Sequence, residues 1–141
     1  MLVLTLMSIH PTIQQWQSSR HEIGIIEFGS SADALNRYPH PIPSGYIPIG
    51  TVEAELLCIE DATGEVLEFE HEVADRICCR CAASQEQFIE ALRILEGYFA
   101  RCVESDNHAD DEAAGLDAVA RAAEAAGGSQ YAPTYHSMVG Y

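Results

Sequence analysis

The sequence predicts an α+β fold, in which a hairpin of strands is followed by an amphipathic helix. Two features carry this prediction, and both begin between Glu53 and Leu95. Runs rich in apolar residues lie on both sides of a turn at Asp61–Gly64, which is typical of a β-hairpin. Large apolar residues then recur at spacings of four, three and four, which is typical of a helix with one buried face. These residues are Phe88, Leu92, Leu95 and Phe99.

The segments before the hairpin mix strands, a helix and a proline-rich stretch. Leu2–Ile9 is apolar and predicts a short strand or a buried arm, and His21–Phe28 predicts a strand because of its isoleucines. Ser31 can cap a short helix over Ala32–Arg37. Four prolines in Pro39–Gly50 predict a fixed loop or an edge segment that lies against the core, because proline cannot donate a hydrogen bond to a neighbouring strand.

The hairpin itself consists of Glu55–Glu60 and Glu65–His71, and Arg76–Cys81 predicts a third short strand. In the turn between the first two, aspartate can accept backbone N–H groups and Gly64 can adopt the left-handed conformation. Alternation in the second strand places apolar and acidic side chains on opposite faces. We expect the apolar face, which carries Leu67 and Phe69, to be buried. We expect the acidic face, which carries Glu68 and Glu70, to be exposed.

The helix after the strands is predicted to begin at Ser84, which forms a capping box with Gln87. Beyond Cys102 the composition changes to alanine and acidic residues. We therefore expect an α+β domain over residues 1–103, and an acidic, alanine-rich helical segment and tail over 104–141. The alanine-rich helix is expected either to dock or to remain loose, and Ser129–Tyr141 is expected to be a tail.

The charge of the chain narrows the classes of partner. There are 22 acidic residues and 7 basic ones, all of them arginine, for a net charge of −15. Such a surface repels nucleic acid and anionic membranes and favours a basic partner. The absence of lysine excludes Schiff-base chemistry and a phosphate-loop lysine. The alternative is that the charge only keeps the protein soluble.

Cysteine usage and the N-terminal residues favour a cytoplasmic protein with reduced thiols. The chain has five cysteines, an odd number, and no secretory pattern. The apolar N-terminal residues lack a basic flank and a small-residue cleavage site, so we expect no signal peptide. No apolar run approaches the roughly 20 residues that a membrane-spanning helix needs. The oligomeric state stays open.

No catalytic motif is present, and we expect neither an enzyme nor a bound cofactor. The strongest candidate for chemistry is the group Cys78, Cys79 and Cys81, with His71 nearby in the sequence. A zinc site needs convergent ligands, and adjacent cysteines on a regular strand point to opposite faces. Core packing is the favoured interpretation of these thiols, and a metal- or thiol-dependent enzyme is the less favoured one.

Acidic residues are concentrated around the hairpin, with no basic residue between Glu53 and Asp75. Like charges on neighbouring strands are mildly destabilising, so a functional reason for them is plausible. The alternative is an ordinary solvated sheet face. We expect the partner-binding residues to be Glu53, Glu55, Glu60, Asp61, Glu65, Glu68, Glu70 and Glu72.

Short motifs also follow one another in a characteristic order between Ile42 and Leu95. They are Ile47-Pro48-Ile49-Gly50, Leu57-Cys58-Ile59, Gly64-Glu65-Val66, Ala82-Ala83-Ser84, Gln87-Phe88 and Leu92. In this order and spacing they resemble the SUKH superfamily, which includes fungal cell-wall-assembly regulators and bacterial immunity proteins. The chain departs from the family pattern in having no Leu-Pro step before residue 39 and in its acidic, alanine-rich C-terminal segment.

The resemblance implies a mixed, mostly antiparallel sheet with helices packed on one side. It also implies a binding protein that neutralises a cognate bacterial toxin, such as a nuclease or a deaminase. An acidic protein suits this role, because a nuclease presents a cationic groove to its substrate. A regulatory or scaffold module with the same fold and a different partner is the alternative.

Overall fold

The structure is a computed structural model that describes residues 8–141. The strand or arm expected at Leu2–Ile9 therefore lies largely outside the described residues. The described part of the chain folds into a six-stranded sheet in which the strands lie side by side in chain order. All strand pairs among these residues are antiparallel, so the sheet is not mixed as expected. An antiparallel sheet combined with helices confirms the α+β class.

The strands and helices fall into three groups along the chain. The first group precedes the proline-rich stretch, the second forms most of the sheet, and the third is helical. The first comprises α1 (Pro11–Ser19), β1 (Glu22–Ile23), β2 (Ile26–Phe28) and α2 (Ser31–Arg37). The second comprises β3 (Tyr46–Val52), β4 (Glu55–Glu60), β5 (Val66–Phe69) and β6 (Ile77–Ala82). The third comprises α3 (Gln85–Glu104), α4 (Asp106–Ala109), α5 (Glu112–Ala126), a 3-10 turn (Ser129–Tyr131) and α6 (Ala132–Val139).

Both faces of the sheet are covered. The larger core lies between one face and helices α1, α3, α5 and α6, and it contains Leu57, Val66 and Phe88. A smaller core on the other face packs against α2 and contains Leu67 and Phe69. The expectation that helices lie on one side only is corrected, because α2 covers the second face. Leu67 and Phe69 are buried as expected, but in the smaller core and not against the α3 stripe.

The C-terminal segment belongs to the same core as the preceding residues. Small alanine side chains let α5 lie close against α3, and Ala122 and Ala126 are fully buried. In α6, Tyr135 is fully buried and its hydroxyl donates to the Cys81 carbonyl oxygen at 2.5 Å. The expected tail at Ser129–Tyr141 is therefore wrong, and the boundary at residue 103 does not divide the core.

The proline-rich stretch also differs from the expectation, since its second half forms β3 between β2 and β4. Pro48 pairs only with Cys58 of β4, next to a β-bulge, in a part of β3 that extends beyond β2. A proline is tolerated there because no neighbouring strand needs its missing N–H. Gly50 is needed where the two strands meet, because a Cβ atom there would lie 2.3 Å from the Glu27 carbonyl oxygen.

The remaining elements follow the sequence closely. The β4–β5 hairpin turns at Asp61–Gly64, and Gly64 has a φ of 79°. Helix α3 is capped by Ser84, whose hydroxyl oxygen accepts a hydrogen bond from the Gln87 N–H at 3.2 Å. The expected strand at His21–Phe28 is instead the short β1–β2 hairpin. Helix α2 begins one residue earlier than expected, with Ser30 as its cap.

Candidate functional site

Seven of the eight acids expected to form one binding surface are divided between the two ends of the sheet, and the eighth, Glu68, lies within β5. Antiparallel strands in chain order bring the β3–β4 turn and the β5–β6 loop to one end, and the β4–β5 turn to the other. We define the acidic end as the β3–β4 turn, the start of β4 and the loop of residues 70–76. It carries Glu53, Glu55, Glu70, Glu72 and Asp75, whereas Glu60, Asp61 and Glu65 lie at the opposite end.

At the acidic end, Glu55 holds the loop through His71. One carboxylate oxygen of Glu55 accepts from the His71 backbone N–H at 2.7 Å, and the other lies 2.9 Å from the imidazole Nδ1. The hydrogen bond to Glu55 raises the pKa of His71, and the charge of Glu72, 3.7 Å from Nε2, adds to this effect. The protonated imidazole is therefore the form that the site favours.

Side chains from the α2 region hold the same loop from the other face of the sheet. The Tyr38 hydroxyl donates to the Glu70 carbonyl oxygen at 2.6 Å, and His40 Nε2 donates to the His71 carbonyl oxygen at 2.6 Å. Arg76 forms an ion pair with the Glu70 carboxylate at 3.3 Å. The two ends of the loop are thus fixed by specific contacts.

Between these anchors the loop presents charged and apolar groups to solvent. Glu72 and Asp75 are exposed, and Val73 between them is 45% exposed. Glu53, in the neighbouring turn, is exposed as well and has a φ of 53°. The acidic end therefore combines a held backbone with outward-facing carboxylates and one apolar side chain.

The acids at the opposite end are engaged with neighbours inside the fold. Glu65 forms an ion pair with Arg80 and accepts a hydrogen bond from the Tyr131 hydroxyl at 2.9 Å. Glu60 accepts from the Thr63 hydroxyl at 2.8 Å, within the hairpin turn that also contains the partly buried Asp61. These contacts give Glu60 and Glu65 a structural role in the hairpin and in its attachment to the C-terminal helices.

The side chain of Glu68, a residue of β5, is buried against α6 and does not lie on an outer face as expected. It is 4% exposed, and its Oε2 accepts from the Thr134 hydroxyl at 2.7 Å and from the Cys81 thiol at 3.1 Å. Burial raises the pKa of the Glu68 carboxyl. Sequence periodicity did place Glu68 opposite Leu67 and Phe69; the helices that cover its face could not be inferred from it.

Three thiols surround this carboxylate. In β6, Cys78 and Cys81 are the extra residues of two β-bulges, and Cys79 pairs directly with Glu68. A bulge breaks the alternation of side chains, so the thiols of Cys78 and Cys79 lie on the same side, and these sulfur atoms and a Glu68 carboxylate oxygen lie within 4.8 Å of one another. The expectation that adjacent cysteines point to opposite faces is therefore wrong.

The protonation of these thiols differs between the members of the group. A hydrogen bond from Cys78 lowers the pKa of Cys79, and the same contact raises the pKa of Cys78. Burial raises the pKa of Cys81. His71 is not a member of the group, because its imidazole contacts Glu55 and Glu72. Within this group, the hydrogen bond from Cys78 therefore favours the thiolate form of Cys79.

A broad groove of about 680 Å³ lies elsewhere, along α3. Arg93, Arg101 and Arg121 line it together with Glu86 and Glu90. Because charges of both signs share this groove, it has no clear preference for an anionic or a cationic ligand.

Sequence reasoning missed the residues of the C-terminal segment that contact Glu65, Glu68 and β6. The Tyr131 hydroxyl donates to Glu65, and the Thr134 hydroxyl donates to Glu68. The Tyr135 hydroxyl donates to the backbone of β6. The spacing of four between the two tyrosines was the available signal, since residues four apart share one face of a helical segment.

Comparison of the chain with protein-family models, curated proteins and solved structures gives no match. Among the described residues, no helix is both long and apolar enough to span a membrane.

Proposed function

We propose that this protein binds a cationic protein partner through its acidic end, with Glu53, Glu72 and Asp75 as contacting residues. The observation that carries the proposal is the loop of residues 70–76, which is held at both ends and exposes carboxylates around Val73.

The charge distribution supports a basic partner. Only Arg76 and the titratable His71 supply positive charge within the acidic end, so its field is negative, and the net charge of −15 extends the field beyond the contact. Complementary fields of this kind steer encounter and suppress association with anionic molecules.

The contacts that hold the loop support binding with little reorganisation. Ordering a flexible loop on binding costs conformational entropy, and a loop that is already held avoids part of that cost. Exposed Val73 supplies an apolar contact at the centre of a charged rim, which is the usual composition of a protein–protein interface.

The specific function that we propose is immunity: the protein acts in the cytoplasm and neutralises a cognate bacterial toxin by covering its cationic substrate groove. The resemblance of Ile42–Leu95 to the SUKH superfamily supports this choice of partner. It also supports a function by binding and not by catalysis. The acidic end replaces the nucleic-acid substrate as the group that occupies the groove.

The test uses the purified product of the adjacent gene, assayed as a nuclease and as a deaminase with and without this protein. Stoichiometric inhibition that weakens as salt is raised would support the proposal. If the adjacent product is not inhibited and does not bind, the immunity function is wrong. Binding without inhibition would favour a regulatory or scaffold role through the same surface.

A further inference from the structure

We propose that Cys78, Cys79 and Glu68 form a binding site for a thiophilic divalent cation of the Zn²⁺ class. The site lies between β5 and β6, at the base of the loop of residues 70–76. None of its ligands is a residue proposed to contact the protein partner, so the inference does not rest on that function. Two thiolates and one carboxylate oxygen would be the protein ligands, and water would fill the fourth position.

The first argument is the environment of Glu68. Its side chain is 4% exposed, and its hydrogen-bond partners are the neutral Thr134 hydroxyl and Cys81 thiol. No arginine or histidine in the described part of the chain forms an ion pair with it. Buried carboxylates are normally paired with a cation or coordinate a metal. A bound cation would supply the missing positive charge.

The second argument is the position of the thiols. The Cys78 and Cys79 sulfur atoms and the carboxylate oxygen lie mutually within 4.8 Å. Tetrahedral zinc has bond lengths of about 2.3 Å to sulfur and about 2.0 Å to oxygen, and its ligand atoms also lie within 4.8 Å of one another. The exposure of Cys78 and the bulge at that residue leave its side chain free to adjust to a bound ion.

The third argument is the support around the ligands. The Thr134 hydroxyl and the Cys81 thiol donate to Oε2 of Glu68 and orient its carboxylate, and the Cys78 thiol donates to the Glu68 backbone carbonyl oxygen at 3.5 Å. Hydrogen bonds that orient a ligating carboxylate are typical of metal sites. The Cys78 side of the group opens to solvent, so a cation can enter without unfolding of β6.

The ligand chemistry selects the class of cation. Thiolates favour Zn²⁺ and related soft cations over Mg²⁺ and Ca²⁺, which take oxygen ligands. Binding converts the two thiols to thiolates and releases their protons, so the affinity rises with pH.

The test is titration of the reduced, full-length protein with Zn²⁺ against a chromophoric chelator, and with Co²⁺ to detect thiolate charge-transfer absorption. We expect one ion per chain, with affinity reduced about tenfold or more in the Cys78→Ser, Cys79→Ser and Glu68→Gln variants. Cys102→Ser removes a partly exposed thiol on α3 and is the matched control; it should bind as the parent does.

The inference is overturned if the parent binds no stoichiometric Zn²⁺, or if Cys78→Ser and Cys79→Ser bind it unchanged. An equal loss in Cys102→Ser would also overturn it, because the binding would then be non-specific. Cys78 is exposed, so its serine variant is expected to fold and keeps the test decisive even if Glu68→Gln alters the packing of α6.

Discussion

Reversing two charges at the acidic end should weaken partner binding without weakening the fold. The variant carries Glu53→Lys and Glu72→Lys, which are exposed residues on the β3–β4 turn and the β5–β6 loop. Neither carboxylate forms a hydrogen bond that holds the loop backbone. Those hydrogen bonds come from Glu55, Tyr38 and His40. A lysine at position 53 meets the same φ of 53° that glutamate already adopts.

The expected loss of affinity follows from the exposure of these groups. An exposed ion pair contributes about 0.5 kcal/mol, and reversal replaces attraction by a similar repulsion, for a change of about 1 kcal/mol per residue. Two residues give about 2 kcal/mol, or roughly a 30-fold higher Kd at low ionic strength. The difference should shrink as salt is added, since the Debye length falls to about 8 Å at physiological ionic strength.

Binding is measured by calorimetry or surface plasmon resonance with the cationic partner, at low and at physiological salt. The matched control is Glu90→Lys with Glu124→Lys, which reverses two exposed acids on α3 and α5 and changes the net charge of −15 by the same amount. The reasoning is refuted if the control loses as much affinity as the loop variant, because only the total charge would then matter.

Three further changes test two buried contacts and the contact that holds the loop of residues 70–76. Tyr135→Phe removes a buried hydroxyl that donates to Cys81 and should lower the free energy of unfolding by about 1–2 kcal/mol in urea denaturation; an unchanged midpoint would mean that α6 is not docked as described. Glu68→Gln, measured with a chelator present, should raise the thermal midpoint at about pH 7.5. Burial raises the pKa of this carboxyl, so the parent loses stability as pH rises above the unfolded value of about 4.3, and a gain that failed to shrink toward acid would contradict this. His71→Gln should remove a stabilisation that depends on pH. The hydrogen bond to Glu55 raises the pKa of His71, so its contribution is complete below the unfolded value of about 6.5 and is lost as pH rises through the folded value. The thermal midpoint of the parent should therefore exceed that of the variant most below about pH 6.5, and the difference should shrink as pH rises above it.

The elements with local signals could be predicted from the sequence. Helix α3 has a cap and a regular apolar stripe, and the β4–β5 hairpin has its glycine turn. Strand β3 was missed because Pro48 and the three prolines before the strand argue against pairing, and only the length of β2 shows that Pro48 needs no partner on that side. Helix α6 was missed because it is buried by tertiary contacts with α5, β5 and β6, and the two strands are distant from it in sequence.

The candidate sites could be predicted only in part, because they too depend on contacts between residues that are distant in sequence. The acids were recognised by composition, but their division between the sheet ends depends on strand order, and the burial of Glu68 depends on α6. The thiols were recognised as a cluster, but the alternation of a regular strand predicted that Cys78 and Cys79 point to opposite faces. A bulge follows from the register of two strands, and nothing local in the sequence of β6 indicates it.

The proposed binding surface is tested most directly by hydrogen–deuterium exchange of the protein alone and with its cationic partner. We predict that added protection is confined to residues 70–76 and the turn at Glu53–Ala54, and that it disappears in the Glu53→Lys, Glu72→Lys variant. Protection centred on α3 and α5, or at the Glu60–Gly64 turn with none at the acidic end, would contradict the account.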